Sequence, residues 1–155
     1  MINKRIIAKA VGGLLALESA LMMVCFAISL YFGEPAWQIW TVPIVSALAV
    51  GSGLWYYGRK AQHQVGRRDG YFIVGSTWII FSVFGMLPFL LSHSTGRLAV
   101  AFFETISGFT TTGATAFPEV ERLPNSLLFW RSLTHWIGGM GIIFFTIAVL
   151  PTLGI

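Results

Sequence analysis

Apolar residues run along this chain in four blocks: Ile6–Leu30, Trp37–Tyr57, Tyr71–Leu91 and Leu127–Leu150. Each is long enough to cross about 30 Å of hydrocarbon, which takes about 20 helical residues. Gly33-Glu34-Pro35 closes the first block. A fifth apolar stretch, Leu98–Phe109 (LAVAFFETISGF), is too short to span, yet Phe102, Ile106 and Phe109 recur at helical spacing and predict an apolar face. The polar run Thr110-Thr111-Thr112-Gly113-Ala114-Thr115 follows it at once, then Pro118, Pro124 and the fourth block. The predicted order is span, half-helix, polar return loop, span.

Composition gives the solvent. Hydrophobic residues make up 55% of the 155 and charged residues 10%, where a soluble domain carries about a quarter charged. Lipid must therefore cover the chain. The fold class is all-α integral membrane: two peripheral transmembrane helices plus one span–pore-loop–span module with a re-entrant half-helix. Residues 1–58 form the N-terminal helix pair and residues 59–69 a basic loop. Residues 70–155 form the module, with spans at 70–91 and 127–150, a pore half-helix at 98–109 and a filter strand at 110–115. Lys4 and Arg5 before an apolar run resemble a signal peptide. That run is about twice the ~7–15 residues of a signal core, so it reads as a retained span. Cys25 lies inside it and reads as a small buried hydrophobe.

Charge sets the orientation. Of ten Lys and Arg, seven fall at Lys4, Arg5, Lys9, Arg59, Lys60, Arg67 and Arg68. Flanking apolar blocks on one side, they are a topology signal and not a nucleic-acid patch. The loop at 58–69 and both termini then face the cytoplasm of a multi-pass inner-membrane protein. Arg97 and Arg122 on the other side are offset by Glu104, Glu119 and Glu121. Trp37, Trp40, Trp55, Tyr56 and Tyr57 mark the ends of the second span, where amphipathic rings settle at the lipid boundary. Gly12, Ala16 and Ala20, with Ala47/Gly51 and Ala49/Gly53, form small-residue stripes that let helices approach closely. These read as packing within the chain in preference to an oligomer contact. Glu18 sits mid-span, either at a functional site or, preferred here, as a structural group that is protonated or paired.

The polar return loop carries the candidate chemistry. Extended backbone at membrane depth is tolerated only when buried in protein or lining a water-filled cavity. A half-helix entering from outside points its partially negative C-terminal end toward the membrane centre and favours a cation there. The strand after it presents carbonyls to the same point, and rings of carbonyls can replace an ion's hydration shell. Gly113 permits backbone angles closed to other residues. The segment therefore reads as one wall of a cation-selective pore. Glu104 either adds negative potential at the pore mouth or pairs with Arg131 to lock the half-helix, the preferred reading. His135 reads as a packed histidine, the alternatives being a hydrogen bond to the back of the filter or a pH sensor. Gly138, Gly139 and Gly141 read as a close-packing or kink site. His63 and His93 fall in polar connections, and no metal spacing links the histidines.

Two rival readings stand beside the pore. Ser107 with His135 could form a nucleophile–base pair of an intramembrane hydrolase, although no third orienting group or nucleophile elbow supports it. A non-conducting assembly or regulatory fragment is the third possibility.

The run Ala101–Thr115 (AFFETISGFTTTGAT), with Phe129–Gly141 (FWRSLTHWIGGMG) and Ile147–Gly154 (IAVLPTLG), resembles the first pore repeat of the Trk/Ktr/HKT superfamily of potassium uptake proteins. The two spans before Arg59 resemble the extra helix pair of the bacterial Trk-type subunit. The resemblance implies four span–pore–span repeats around one ion path, with the chain corresponding to the N-terminal third of such a subunit. It implies that Thr111 and Thr112 coordinate K+, that Gly113 is the filter glycine, and that Thr110 and Ala114 complete the strand. It further implies K+ transport without covalent chemistry or cofactor, a homodimer of full-length subunits, and a cytoplasmic nucleotide-binding regulatory subunit (TrkA-like).

Overall fold

The structure, a computed structural model, describes residues 3–61 and 67–149, the side chains of 67, 68, 142 and 144–149 excepted. His63, the side chains of Arg67 and Arg68, and the expected span end at Leu150 lie outside the described residues. All regular structure among the described residues is helical: α1 (Lys4–Tyr31), α2 (Ala36–Gly58), α3 (Arg67–Gly85), α4 (Leu87–Leu91), α5 (Leu98–Phe109), a short 3-10 turn (Val120–Arg122) and α6 (Asn125–Val149). Among these residues Lys4–Tyr31, Ala36–Gly58 and Asp69–Leu91 are long and apolar enough to cross a membrane. The fourth apolar block forms the 25-residue α6.

Asn3 starts α1, its side-chain oxygen accepting from the backbone N–H groups of Arg5 and Ile6. The helix ends at Gly33, whose φ of +68° lets Glu34 N–H reach the Ser29 carbonyl and Gly33 N–H reach that of Leu30. That is the left-handed helix stop that glycine makes without strain. α1 and α2 then pack as an antiparallel hairpin through Gly12 and Gly51, where a Cβ on Gly12 would meet the Gly51 carbonyl at 2.6 Å. The small-residue contact is thus within the chain. On α2 the Ala47/Gly51 stripe is buried and the Ala49/Gly53 stripe is exposed, while on α1 Gly12 is buried and Ala16 and Ala20 are exposed.

The hairpin is pinned to the rest at both ends. Asn3 N–H donates to Asp69 of α3 at 2.8 Å. At the opposite end Glu34 accepts from the hydroxyl and backbone N–H of Ser126 at the start of α6. Trp40 Nε1 donates to the Ser126 hydroxyl at 3.3 Å. Trp40 therefore corrects its expected place at the lipid boundary: it is fully buried edge-on against Trp130, because its N–H has a partner inside the protein. Trp37, Trp55, Tyr56 and Tyr57 stay exposed.

The third apolar block is two helices rather than one. α3 stops at Gly85 and α4 begins after Met86 with Pro88 in its first turn, where the missing proline N–H costs no helical bond. The break frees the Gly85 carbonyl to accept from Trp130 Nε1 at 3.0 Å. A Cβ on Gly85 would meet Thr105 at 2.8 Å and both Phe109 and the Glu18 carboxyl at 3.2 Å. Glu18 is fully buried there, and neither carboxyl oxygen has a hydrogen-bond partner among the described residues. Of its two structural readings, the paired one fails among those residues. An unmatched buried polar group costs about 1–3 kcal/mol, so Glu18→Met is expected to raise the thermal unfolding midpoint in detergent. An unchanged or lowered midpoint would show that the carboxyl is satisfied.

Candidate functional site

Helix α5 is 12 residues long, about 18 Å at 1.5 Å per residue, so it cannot cross the bilayer. Two glycines bring it against α6. A Cβ on Gly108 would collide with Thr134, and one on Gly138 would collide with the carbonyl of Phe109. The WIGGMG glycines thus include a close-packing site, and Gly141 adds another against Trp78, at 2.7 Å from a Cβ. The buried face of α5 consists of Ala101, Glu104, Thr105, Ser107, Gly108 and Phe109. Phe102 and Ile106 are only half-buried, and Phe103 is exposed. Of the apolar face expected from Phe102, Ile106 and Phe109, Phe109 is fully buried, and Glu104, Thr105 and Ser107 are buried beside it because their polar groups find partners there.

The end of α5 repeats the geometry at the end of α1 without the glycine. Thr111 N–H donates to the Gly108 carbonyl and Thr112 N–H to that of Ser107, each at 2.9 Å. Thr111, the residue in the left-handed position, has a φ of +58°. A β-branched residue is strained there, by about 1–3 kcal/mol, where Gly33 is not. Gly113, two residues on, has a φ of +76°.

After this turn the chain is held from behind by side chains of α5, one of them paired in turn to α6. Ser107 Oγ donates to the Ala114 carbonyl at 2.7 Å. Glu104 Oε2 accepts from Thr115 Oγ1 and from Ala116 N–H, each at 3.0 Å. Its other oxygen pairs with Arg131 Nε. The Glu104 carboxylate is fully buried and Arg131 is 21% exposed. The lock between α5 and α6 is therefore present, and it also fastens the segment at Thr115 and Ala116.

The front of the segment is left open. Thr110 through Ala116 are exposed. The carbonyl oxygens of Thr111, Thr112 and Gly113 accept no hydrogen bond from any described residue, and Thr110 Oγ1 and Thr112 Oγ1 lie 2.9 Å apart. Carbonyls and hydroxyls are hard, uncharged oxygen donors suited to alkali and alkaline-earth cations. Among the described residues no group of three or more His, Cys, Asp or Glu could hold a metal ion.

Ser107 and His135 do not make a catalytic pair. The Ser107 hydroxyl is turned to Ala114, and His135 Nδ1 lies 2.8 Å from the Arg131 carbonyl one turn back on its own helix. His135 packs behind Gly108, 3.5 Å from where its Cβ would be. The tethering roles of Ser107 and Thr115 were not read from the sequence. The available signal was a serine and a glutamate on α5 facing the strand they precede.

Residues 38–155 match a family model described as TrkH, cation transport protein. The chain is 40% identical over 152 residues to the Trk system potassium uptake protein TrkH of Escherichia coli K12, covering 97% of this chain and 32% of that protein. It is 32% identical over 145 residues to an uncharacterized cation transporter of Methanocaldococcus jannaschii, covering 92% of this chain and 30% of that one. The crystal structure of the potassium transporter TrkH from Vibrio parahaemolyticus superposes with a TM-score of 0.90 at 37% identity, over 99% of this chain and 33% of that chain. The chain thus spans about a third of the length of the relatives it matches.

Proposed function

The chain belongs to the TrkH family of cation transport proteins, and on that premise we propose that it forms part of the translocating subunit of a Trk-type K+ uptake system. The observation that carries this reading is the row of open carbonyls at Thr111, Thr112 and Gly113, on a strand clamped from behind by Ser107 and Glu104. Thr111 and Thr112 coordinate K+ through backbone carbonyls, and Thr110, Gly113 and Ala114 complete the filter strand. A single strand cannot surround an ion. Three further walls come from other span–pore–span units, giving a fourfold site. The 98–109 helix is re-entrant from the outer side of a bacterial inner membrane, with the N-terminus cytoplasmic. The basic residues at one end of the hairpin support that orientation. Full-length subunits pair as a homodimer and engage a cytoplasmic nucleotide-binding regulatory subunit (TrkA-like).

Fixing the strand before an ion arrives is what gives the site its chemistry. The turn at Thr111 and the tether at Ala114 hold the carbonyls in place, so an ion entering from water exchanges its shell for oxygens already oriented. Thr110 is the C-terminal cap of α5, and the partial negative charge of that helix end adds to the field at the same point.

Rubidium uptake in a strain lacking its own potassium transporters tests the reading, with the complete protein supplied on a plasmid. Uptake should be restored and suppressed by excess K+ more than by excess Na+. Ser107→Ala separates this function from the hydrolase. It removes one tether, about 0.5–1.5 kcal/mol, so uptake persists with a reduced preference for K+ over Na+. A hydrolase would lose its activity outright. Uptake indifferent to K+ competition would sink the proposal.

A further inference from the structure

Positive charge on one side of the membrane explains why basic residues cluster at one end of the hairpin, but not how they are held together. Gly58 lies against the start of α1: a Cβ there would meet the Arg5 carbonyl at 2.5 Å and the Lys9 backbone nitrogen at 2.6 Å. That close approach brings Lys4, Arg5 and Lys9 of α1 beside Arg59 and Lys60 at the end of α2. Two of these cations lie over aromatic rings. Lys9 Nζ is 5.5 Å from the centre of the Trp55 ring, and the Arg59 guanidinium is 4.1 Å from that of Tyr56. Trp55 and Tyr56 are themselves exposed, at the end of a span where rings settle among lipid headgroups.

Among the described residues this patch carries more cations than anions. The ion pairs formed between described residues are Arg122–Glu119 and Arg131–Glu104, both elsewhere. None of the five cations pairs with a described carboxylate. Asp69, at the same end, accepts from the Asn3 backbone N–H, and the positive end of the α1 dipole adds to the field.

We propose that this patch is a binding site for the phosphate headgroup of an anionic phospholipid. The match is one of charge and depth. Five basic groups meet one anionic headgroup layer, and the rings beneath Lys9 and Arg59 hold two of them oriented, so less side-chain freedom is lost on binding. The lipid would bridge the two peripheral helices at their basic end, away from the Thr110–Ala114 strand.

The test uses the complete protein in mixed micelles and follows thermal unfolding by tryptophan fluorescence. Titrating phosphatidylglycerol should raise the midpoint by several degrees, whereas phosphatidylcholine and inorganic phosphate should not. Lys9→Gln with Arg59→Gln should weaken the apparent affinity at least tenfold, from roughly fivefold for each basic group beside an anionic surface. Lys9→Arg with Arg59→Lys should keep the response, which separates lost charge from misfolding. Equal shifts with phosphatidylcholine, or a full response in the charge-removed variant, overturn the proposal. An equal shift with inorganic phosphate alone assigns the patch to free phosphate and overturns the lipid.

Discussion

Gly113→Arg is expected to abolish rubidium uptake while the helices stay folded. A Cβ at Gly113 would meet no atom within 4 Å beyond its chain neighbours, so the first carbon of a side chain there collides with no other described residue. Its cost to folding is the φ of +76°, about 1–2 kcal/mol for any residue with a Cβ. The cost to an ion is larger. A guanidinium about 4 Å from a bound monovalent cation repels it by about 4 kcal/mol at an effective dielectric of 20, roughly a thousandfold in occupancy. Gly113→Ala supplies the comparison, with the same backbone strain and no charge. The two variants should unfold at similar temperatures and differ in uptake by orders of magnitude. Gly113→Asp should keep a path for cations but lose the preference for K+ over Na+. If Gly113→Arg and Gly113→Asp leave uptake and ion preference unchanged, the filter assignment is wrong.

Breaking the Glu104–Arg131 pair is expected to produce a large loss of stability between α5 and α6. Glu104→Ala leaves the Arg131 guanidinium mostly buried without its anion and leaves Thr115 Oγ1 and Ala116 N–H without their acceptor. Removing one partner of a buried pair costs about 3–5 kcal/mol. The unfolding midpoint in detergent should fall sharply, and under the proposed filter role surviving protein should discriminate poorly between K+ and Na+, because Ser107 is then the one remaining α5 side chain bonded to the segment among the described residues. Arg131→Met should also be destabilising. The double variant Glu104→Ala/Arg131→Met should be less destabilised than the sum of the two, since neither charge is then stranded. Strict additivity would mean that the two groups act independently.

The two helix stops show how the candidate site differs from its surroundings. At the end of α1 the chain uses Gly33 for a left-handed turn, as backbone sterics prefer. At the end of α5 it makes the same pair of hydrogen bonds with Thr111. Strain of this kind persists only where neighbouring contacts over-determine it. Here Ser107 and Glu104 hold the segment from behind, and the Gly138 approach fixes the end of α5 that leads into it.

The sequence by itself determined that the chain is an all-α membrane protein, where its long helices run, and that a short helix leads into a polar turn. The reason is that lipid imposes local rules: spans must be apolar for about 20 residues, and backbone groups at depth must be satisfied within their own segment. Both rules can be read along a single stretch of chain. Only the tertiary structure decided which face of α5 is buried and that Trp40 belongs inside. It also decided that the third block breaks at Gly85 and that Glu104, whose pairing with Arg131 the sequence suggested, also accepts from Thr115 and Ala116. Each depends on a partner distant in sequence, with Trp40 and Ser126 separated by 86 positions. Hydropathy ranks a glutamate, a serine or a tryptophan as polar or interfacial. Whether it can be buried depends on whether another helix presents the matching donor or acceptor at hydrogen-bond distance.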